Sequence, residues 1–151
     1  MKPQVIIQSD GPVLHFPGKQ IAKGSTQRKP KEDRPYEIDV FRRTDRDGYA
    51  MAIRYVTKHL HIEKNRTWAF EAPNGEDLAG ALATWVRDHN WTPPMVEHGD
   101  GRHDHRASRE AAALRSSFEE QVAKVLTDPS IDGSLLCHWP DFHYERINHG
   151  N

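Results

Sequence analysis

Apolar and polar residues alternate with period two along three segments of the first half of the chain, the pattern of strands with one face buried. From 36 to 43 the even positions Tyr36, Ile38 and Val40 are apolar, while Glu37, Asp39 and Arg43 point the other way. Phe41 breaks the alternation. Asp47-Gly48 then supplies a turn pair that tolerates positive φ. From Tyr49 the odd positions Tyr49, Met51, Ile53 and Tyr55 alternate with Ala50, Ala52 and Arg54. After the polar break Glu63-Lys64-Asn65, residues 66–71 set Trp68 and Phe70 on one face. These segments predict antiparallel strands with one face to the core and the other to water. Gln4 to Gln8 reads as a further short strand, and Pro12 to Phe16 as another beyond a Ser9-Asp10-Gly11 turn.

The period then changes. Pro73-Asn74-Gly75-Glu76-Asp77 is a helix start, with Asn74 placed to accept orphan backbone N–H groups and two acids near the positive end of the dipole. Leu78, Leu82, Trp85 and Val86 follow at i, i+4, i+7 and i+8 as one apolar stripe, and Asn90 and Pro93-Pro94 end it. A second helix is expected to run to about Thr127, with apolar Ala107, Ala111, Leu114, Phe118, Val122 and Val125 spaced by threes and fours. Its tail, with Leu135, Leu136, Trp139, Phe142, Tyr144 and Ile147, is expected to dock on the domain.

The predicted fold is therefore α+β: an antiparallel β-meander of three to five strands with two amphipathic helices packed on one face, forming a single domain over 1–151. Two segments fall outside the periodic pattern. Residues 18–35 are polar, broken by Gly24, Ser25 and Pro30, and read as a flexible basic loop. Residues 96–105 are rich in His, Gly and Asp and read as a connector. The aromatics Tyr36, Tyr49, Tyr55, Trp68, Phe70 and Trp85 are expected to be core facing a helix, which leaves function to the loops.

Composition narrows the classes. Lys plus Arg total 21 against 22 for Asp plus Glu, so the net charge is −1. That balance argues against sequence-independent binding of nucleic acid by the whole molecule. No apolar run approaches the roughly 18 residues needed to span a bilayer. No N-terminal segment has the shape of a signal peptide. With one cysteine, Cys137, no internal disulfide forms, and a cytoplasmic location is the expectation. No Gly-rich phosphate cradle, H-E-x-x-H or G-x-S-x-G motif is present, which sets aside the dinucleotide, P-loop, zincin and α/β-hydrolase classes.

Four clusters carry candidate chemistry. His98, His103 and His105 form H-x4-H-x-H beside Asp100 and Asp104, donors for zinc or another divalent metal, and His138 and His143 lie near Cys137 and Asp141 in the tail. The spacing matches no strong zinc signature, so a polar connector and an aromatic anchor are the plainer readings. His59 and His61 flank Leu60 at a strand end and project to one face, where a solvated edge is the plainer reading. Lys19, Lys23, Arg28, Lys29, Lys31 and Arg34 form the basic stretch, with Arg42, Arg43 and Arg54 on or near the sheet. These suit phosphates or an acidic protein surface, yet the stretch lacks the interleaved aromatics of single-strand binders.

The reading the sequence favours is a small, cytoplasmic, non-enzymatic protein that binds another macromolecule, most simply a protein partner, without a cofactor. The basic residues, the exposed edge of the sheet and the His-rich connector would supply the surface. The alternatives are a metal-dependent hydrolase or nuclease built on the histidines, and a nucleic-acid-binding accessory protein using the basic loop.

Overall fold

A computed structural model describes residues 3–27, 34–93 and 104–126, and in the last of these the side chains of 108–125. Five strands, β1 (Pro3–Ile6), β2 (Leu14–Ser25), β3 (Tyr36–Arg43), β4 (Tyr49–Tyr55) and β5 (Arg66–Ala72), form one antiparallel sheet in the order β1-β2-β3-β4-β5. Helices α1 (Gly75–Asp88) and α2 (Asp104–Leu126) follow. The domain is α+β, as the sequence predicts.

Local chemistry accounts for the elements. Gly48, at φ +146, closes the β3–β4 hairpin in a conformation that L side chains rarely adopt, and its carbonyl accepts from the Arg43 N–H at 3.0 Å. Asn74 caps α1, its Oδ1 accepting the Asp77 N–H at 2.8 Å, and Glu76 and Asp77 occupy the first turn. The even residues of β3 and the odd residues of β4 share one face. Together with Leu78, Ala79, Leu82 and Val86 of α1 and Phe118, Val122 and Val125 of α2 they form one buried cluster. α1 contacts β4 and β5, and α2 contacts β2. Close approach of α2 needs a missing side chain: a Cβ on Gly24 would lie 2.7 Å from Val125 Cγ2.

Two differences from the sequence reading matter. First, β2 does not stop at Phe16 but continues to Ser25, so about half of the span 18–35 is strand rather than loop. Its first part pairs with β1 (Phe16 with Gln4, Leu14 with Ile6) and its second with β3 (Gly18 with Arg43, Ser25 with Glu37), with a register shift between Gln20 and Ala22. The exposed polar residues Lys19, Gln20 and Lys23 hid the strand. Its stability comes from the backbone ladder with β3, which side-chain patterns do not report.

Second, the face read as facing water holds a second core. Phe41, the residue that broke the alternation, packs edge-on against Phe16 with ring centroids 5.7 Å apart, and Ile6, Ala50 and Ala52 are buried with them. The sheet curls until the segment after β1 reaches β5. There the Ser9 N–H donates to the Thr67 carbonyl at 3.0 Å, Ser9 Oγ accepts the Thr67 N–H at 2.9 Å, and Gln8 Oε1 accepts the Ala69 N–H at 3.0 Å. Ala50, Ala52 and Ala69 line the inside of this curl, where larger residues would hold the strands apart.

Candidate functional site

The sequence-selected residues scatter. Lys19 and Lys23 are exposed on β2. Arg34 is buried, at 6% exposure, and its guanidinium grips the Glu63 carboxylate through Nε at 3.1 Å and Nη2 at 3.0 Å and Glu110 through Nη1 at 3.0 Å. It belongs to the interior rather than to a basic surface. Arg42 lies on the Tyr49 ring, 5.5 Å from its centroid. Arg43 covers the Phe16 ring at 5.4 Å and pairs with Asp45 and Glu71. Arg54 pairs with Asp39, which also accepts from Gln20 Nε2 at 2.8 Å. Arg28, Lys29, Lys31, His98, His103, His138 and His143, the connector at about 96–105 up to residue 103, and the tail all lie outside the described residues. His105 falls in α2, but its side chain is outside the described ones. His59 and His61 stand with ring centroids 6.3 Å apart, and among the described residues no group of three or more His, Cys, Asp or Glu side chains converges.

What the fold does assemble is aromatic. Trp68 of β5, Trp85 of α1, and His89 and Trp91 just beyond α1 gather around one point. Trp85 and His89, at i and i+4, stack with centroids 4.3 Å apart and planes 16° from parallel. Trp68 and Trp91 meet the His89 ring edge-on at 5.0 and 4.6 Å. Tyr36 lies beneath, and its hydroxyl hydrogen-bonds His89 Nε2 at 2.8 Å. Burial, then the nearby Arg66 cation, pushes the His89 imidazole down to about 4, so the ring is neutral at physiological pH. Trp91 anchors the turn by donating from Nε1 to the Val86 carbonyl at 3.1 Å.

Trp68, Phe70, Trp85 and His89 are only half-buried. They line an open groove of about 1030 Å³ between α1, β5 and the segment around Glu63. Of the aromatics expected to be core, Tyr36, Tyr49 and Tyr55 are buried, whereas Trp68, Phe70 and Trp85 stay partly open. The indole N–H groups of Trp68 and Trp85 have no acceptor among the described residues, yet neither is sealed from solvent. Arg66 lies over the Trp68 ring at 5.3 Å and pairs with Asp10. Exposed Leu60 and Ile62 sit in the neighbouring segment, and Ile62 lines the groove.

The floor at one end is a sealed polar network. The Glu63 side chain has no exposure and accepts from Arg34, from Tyr55 Oη at 2.5 Å and from Thr57 Oγ1 at 2.9 Å. Burial pushes its carboxyl up, but the Arg34, Tyr55 and Thr57 donors outweigh burial and hold it below the usual range. Burial and the same carboxylate push the Tyr55 hydroxyl up. The network fixes the segment carrying Leu60 and Ile62 against β4 and, through Glu110, against α2.

A second groove, of about 1450 Å³, opens inside the curl and is lined by Gln4, Gln20, Lys23, Glu37, Asp39 and Arg54 among others. Its charges alternate in sign and its principal ions, Asp39 and Arg54, are paired with each other.

No protein-family model, curated protein or solved structure matches the chain. Among the described residues no helix is long and apolar enough to cross a membrane.

The sequence held one overlooked signal for the aromatic site. Three of the four tryptophans, Trp68, Trp85 and Trp91, and a histidine at i+4 from one of them fall in the stretch 68–91. Each is separately explicable as core; only the fold shows that together they leave a groove.

Proposed function

We propose that this is a small, non-enzymatic binding protein that holds a protein partner in the aromatic groove around His89. The observation that carries the reading is the half-buried Trp68–Trp85–His89 wall beside exposed Leu60 and Ile62, at 64% and 52% exposure. Large aromatic side chains held rigidly at a surface are the residues that dominate partner affinity, and contiguous exposed apolar groups mark such sites. The two helices lie by their apolar stripes on this one face of the sheet; α1 forms one wall of the groove, and Phe118 of α2 braces Trp85 and Trp91 from behind. The Arg34–Glu63 network serves as its rigid floor. The neutral imidazole of His89 fits the same role, because it fills the wall without bringing a buried charge.

A photo-crosslinking side chain placed at Ile62 in cells, with Thr44 beyond the far end of β3 as control, tests the reading. A discrete protein adduct from position 62 and none from position 44 is expected. No adduct at 62, or the same adducts at both positions, overturns it.

A further inference from the structure

The reading of the groove as the partner site leads to the chemistry of the partner, and the inference here rests on that reading. We infer that the groove receives an aromatic ring that carries a carboxylate, supplied by a partner protein whose carboxy-terminal residue is aromatic.

The groove's unpaired groups and its walls fix what an occupant must bring. Its acids are already paired. Glu63 lies beneath Arg34, Tyr55 and Thr57, Asp10 pairs with Arg66 at 2.7 Å, and Asp88 pairs with Arg87 at 3.0 Å. The groups left over have the opposite character. Lys64 lines the groove, is exposed and has no carboxylate partner among the described residues. The two indole N–H groups of Trp68 and Trp85 are donors only. An occupant that binds here therefore supplies acceptors, and a negatively charged acceptor gains most because hydrogen bonds to an ionised group are about twice as strong as neutral ones.

The body of the occupant follows from the walls. Trp68, Phe70, Trp85 and Ala81 present ring faces, ring edges and a methyl group, which a flat ring fills by offset or edge-on packing. A carboxy-terminal Phe, Tyr or Trp joins the two requirements within one residue: the ring packs on the open side of the Trp68–Trp85 pair, whose rings already meet edge-on at 5.2 Å, and the terminal carboxylate turns toward Lys64. An internal aromatic residue presents a neutral carbonyl in place of that charge. The groove thus selects a chain end over a chain interior.

The test is a titration of the intact protein followed by tryptophan fluorescence. The probes are acetyl-Gly-Ser-Gly-Phe with a free carboxylate, the same peptide as its carboxamide, and free N-acetylphenylalanine. Saturable binding of the acid peptide is expected, weakened about tenfold or more in the carboxamide, the loss that follows from one charge-assisted hydrogen bond. Lys64→Ala, a fully surface change, should weaken the acid and leave the carboxamide unchanged. Equal binding of acid and carboxamide, no binding of either, or equal loss of both in Lys64→Ala overturns the inference. Free N-acetylphenylalanine binding as tightly as the peptide overturns the protein source in favour of a small aromatic acid. If the Ile62 adduct forms while acid and carboxamide bind alike, only the inference about the chain end fails. If neither adduct nor peptide binding is seen, the groove reading fails with it.

Discussion

The two faces of the one sheet are built on opposite plans. Toward the helices the strands carry large side chains (Tyr36, Ile38, Met51, Ile53, Tyr55) that share one buried cluster with residues of α1 and α2, while Trp68, Phe70 and Trp85 remain half-open. Inside the curl they carry Ala50, Ala52 and Ala69 around Phe16 and Phe41, and the strands close on themselves. Small side chains let the sheet bend shut, while large ones need a second layer and leave a gap where that layer ends. The gap is aromatic, whereas the opening inside the curl is polar and holds the Asp39–Arg54 pair. The half-open aromatic gap, where the proposed binding surface falls, lies on the face whose core cluster includes α1 and α2. Rings already braced by neighbours lose little freedom when a partner arrives.

If the inner face is a core in its own right, truncation should cost as much there as on the helix side. Phe16 and Phe118 are each almost without exposure. Phe16→Ala and Phe118→Ala are each expected to lose about 3–5 kcal/mol in chemical denaturation. A loss under about 1 kcal/mol for Phe16→Ala alone would reduce the inner face to a lining. Glu63→Ala belongs at the lower end of the same scale, about 3 kcal/mol, because Arg34 stays buried but keeps Glu110. It should also weaken groove binding, since Leu60 and Ile62 lose their tether.

How far the sequence foretold this architecture depended on whether the partner of each residue was near. Strands β3 to β5 and both helices follow from short-range periods and from the Asn74 cap, and they fold as those signals say. Phe41 announced a second core only as an irregularity, because the ring that meets it, Phe16, lies far back in the sequence on the neighbouring strand β2. Alanine is ambiguous in any pattern, so Ala50 and Ala52 passed for a solvent face. Arg34 was grouped with the basic residues before it, since Glu63 stands 29 positions away and nothing local marks the pair. The groove was the least legible, as it needs Trp68 from a strand and Trp85 from a helix to meet.

The alanine lining sharpens the contrast further. Ala52→Leu inserts three carbons into a curl that closes because they are missing, and a loss of about 1–3 kcal/mol is expected. The exposed counterpart Ala112→Leu on α2 should change stability by less than about 0.5 kcal/mol. Equal tolerance at both positions would mean that the sheet curls for another reason.

The helix-side wall carries a pH signature of its own. The unfolded chain takes up a proton on His89 near 6.5 and the folded protein near 4. Between those values the unfolded state binds more protons, so stability rises with pH. The contribution is complete above 6.5 and is lost as pH falls toward 4. Glu63, with its depressed carboxyl, acts in the same direction further into acid. His89→Phe keeps a ring against Trp85 and removes only the imidazole term. Its stability should fall less than that of the wild type between pH 6.5 and 4, and parallel curves would show that His89 is not buried against Trp85 as described.

The smallest effect should come from the ions inside the curl. Arg54 is 46% exposed and its partner Asp39 also holds Gln20, so the pair lies in screened surroundings where such bridges contribute about 0.2–1 kcal/mol. Arg54→Ala is expected to stay within that range, to shrink further in high salt, and to leave peptide binding in the His89 groove unchanged. The last of these decides most. Arg54 was among the residues whose charge first suggested a partner surface, and it sits on the opposite face of β4 from Met51 and Ile53. Were its loss to abolish partner capture while Lys64→Ala had no effect, the binding surface would belong to the polar opening inside the curl. The aromatic wall would then be packing alone.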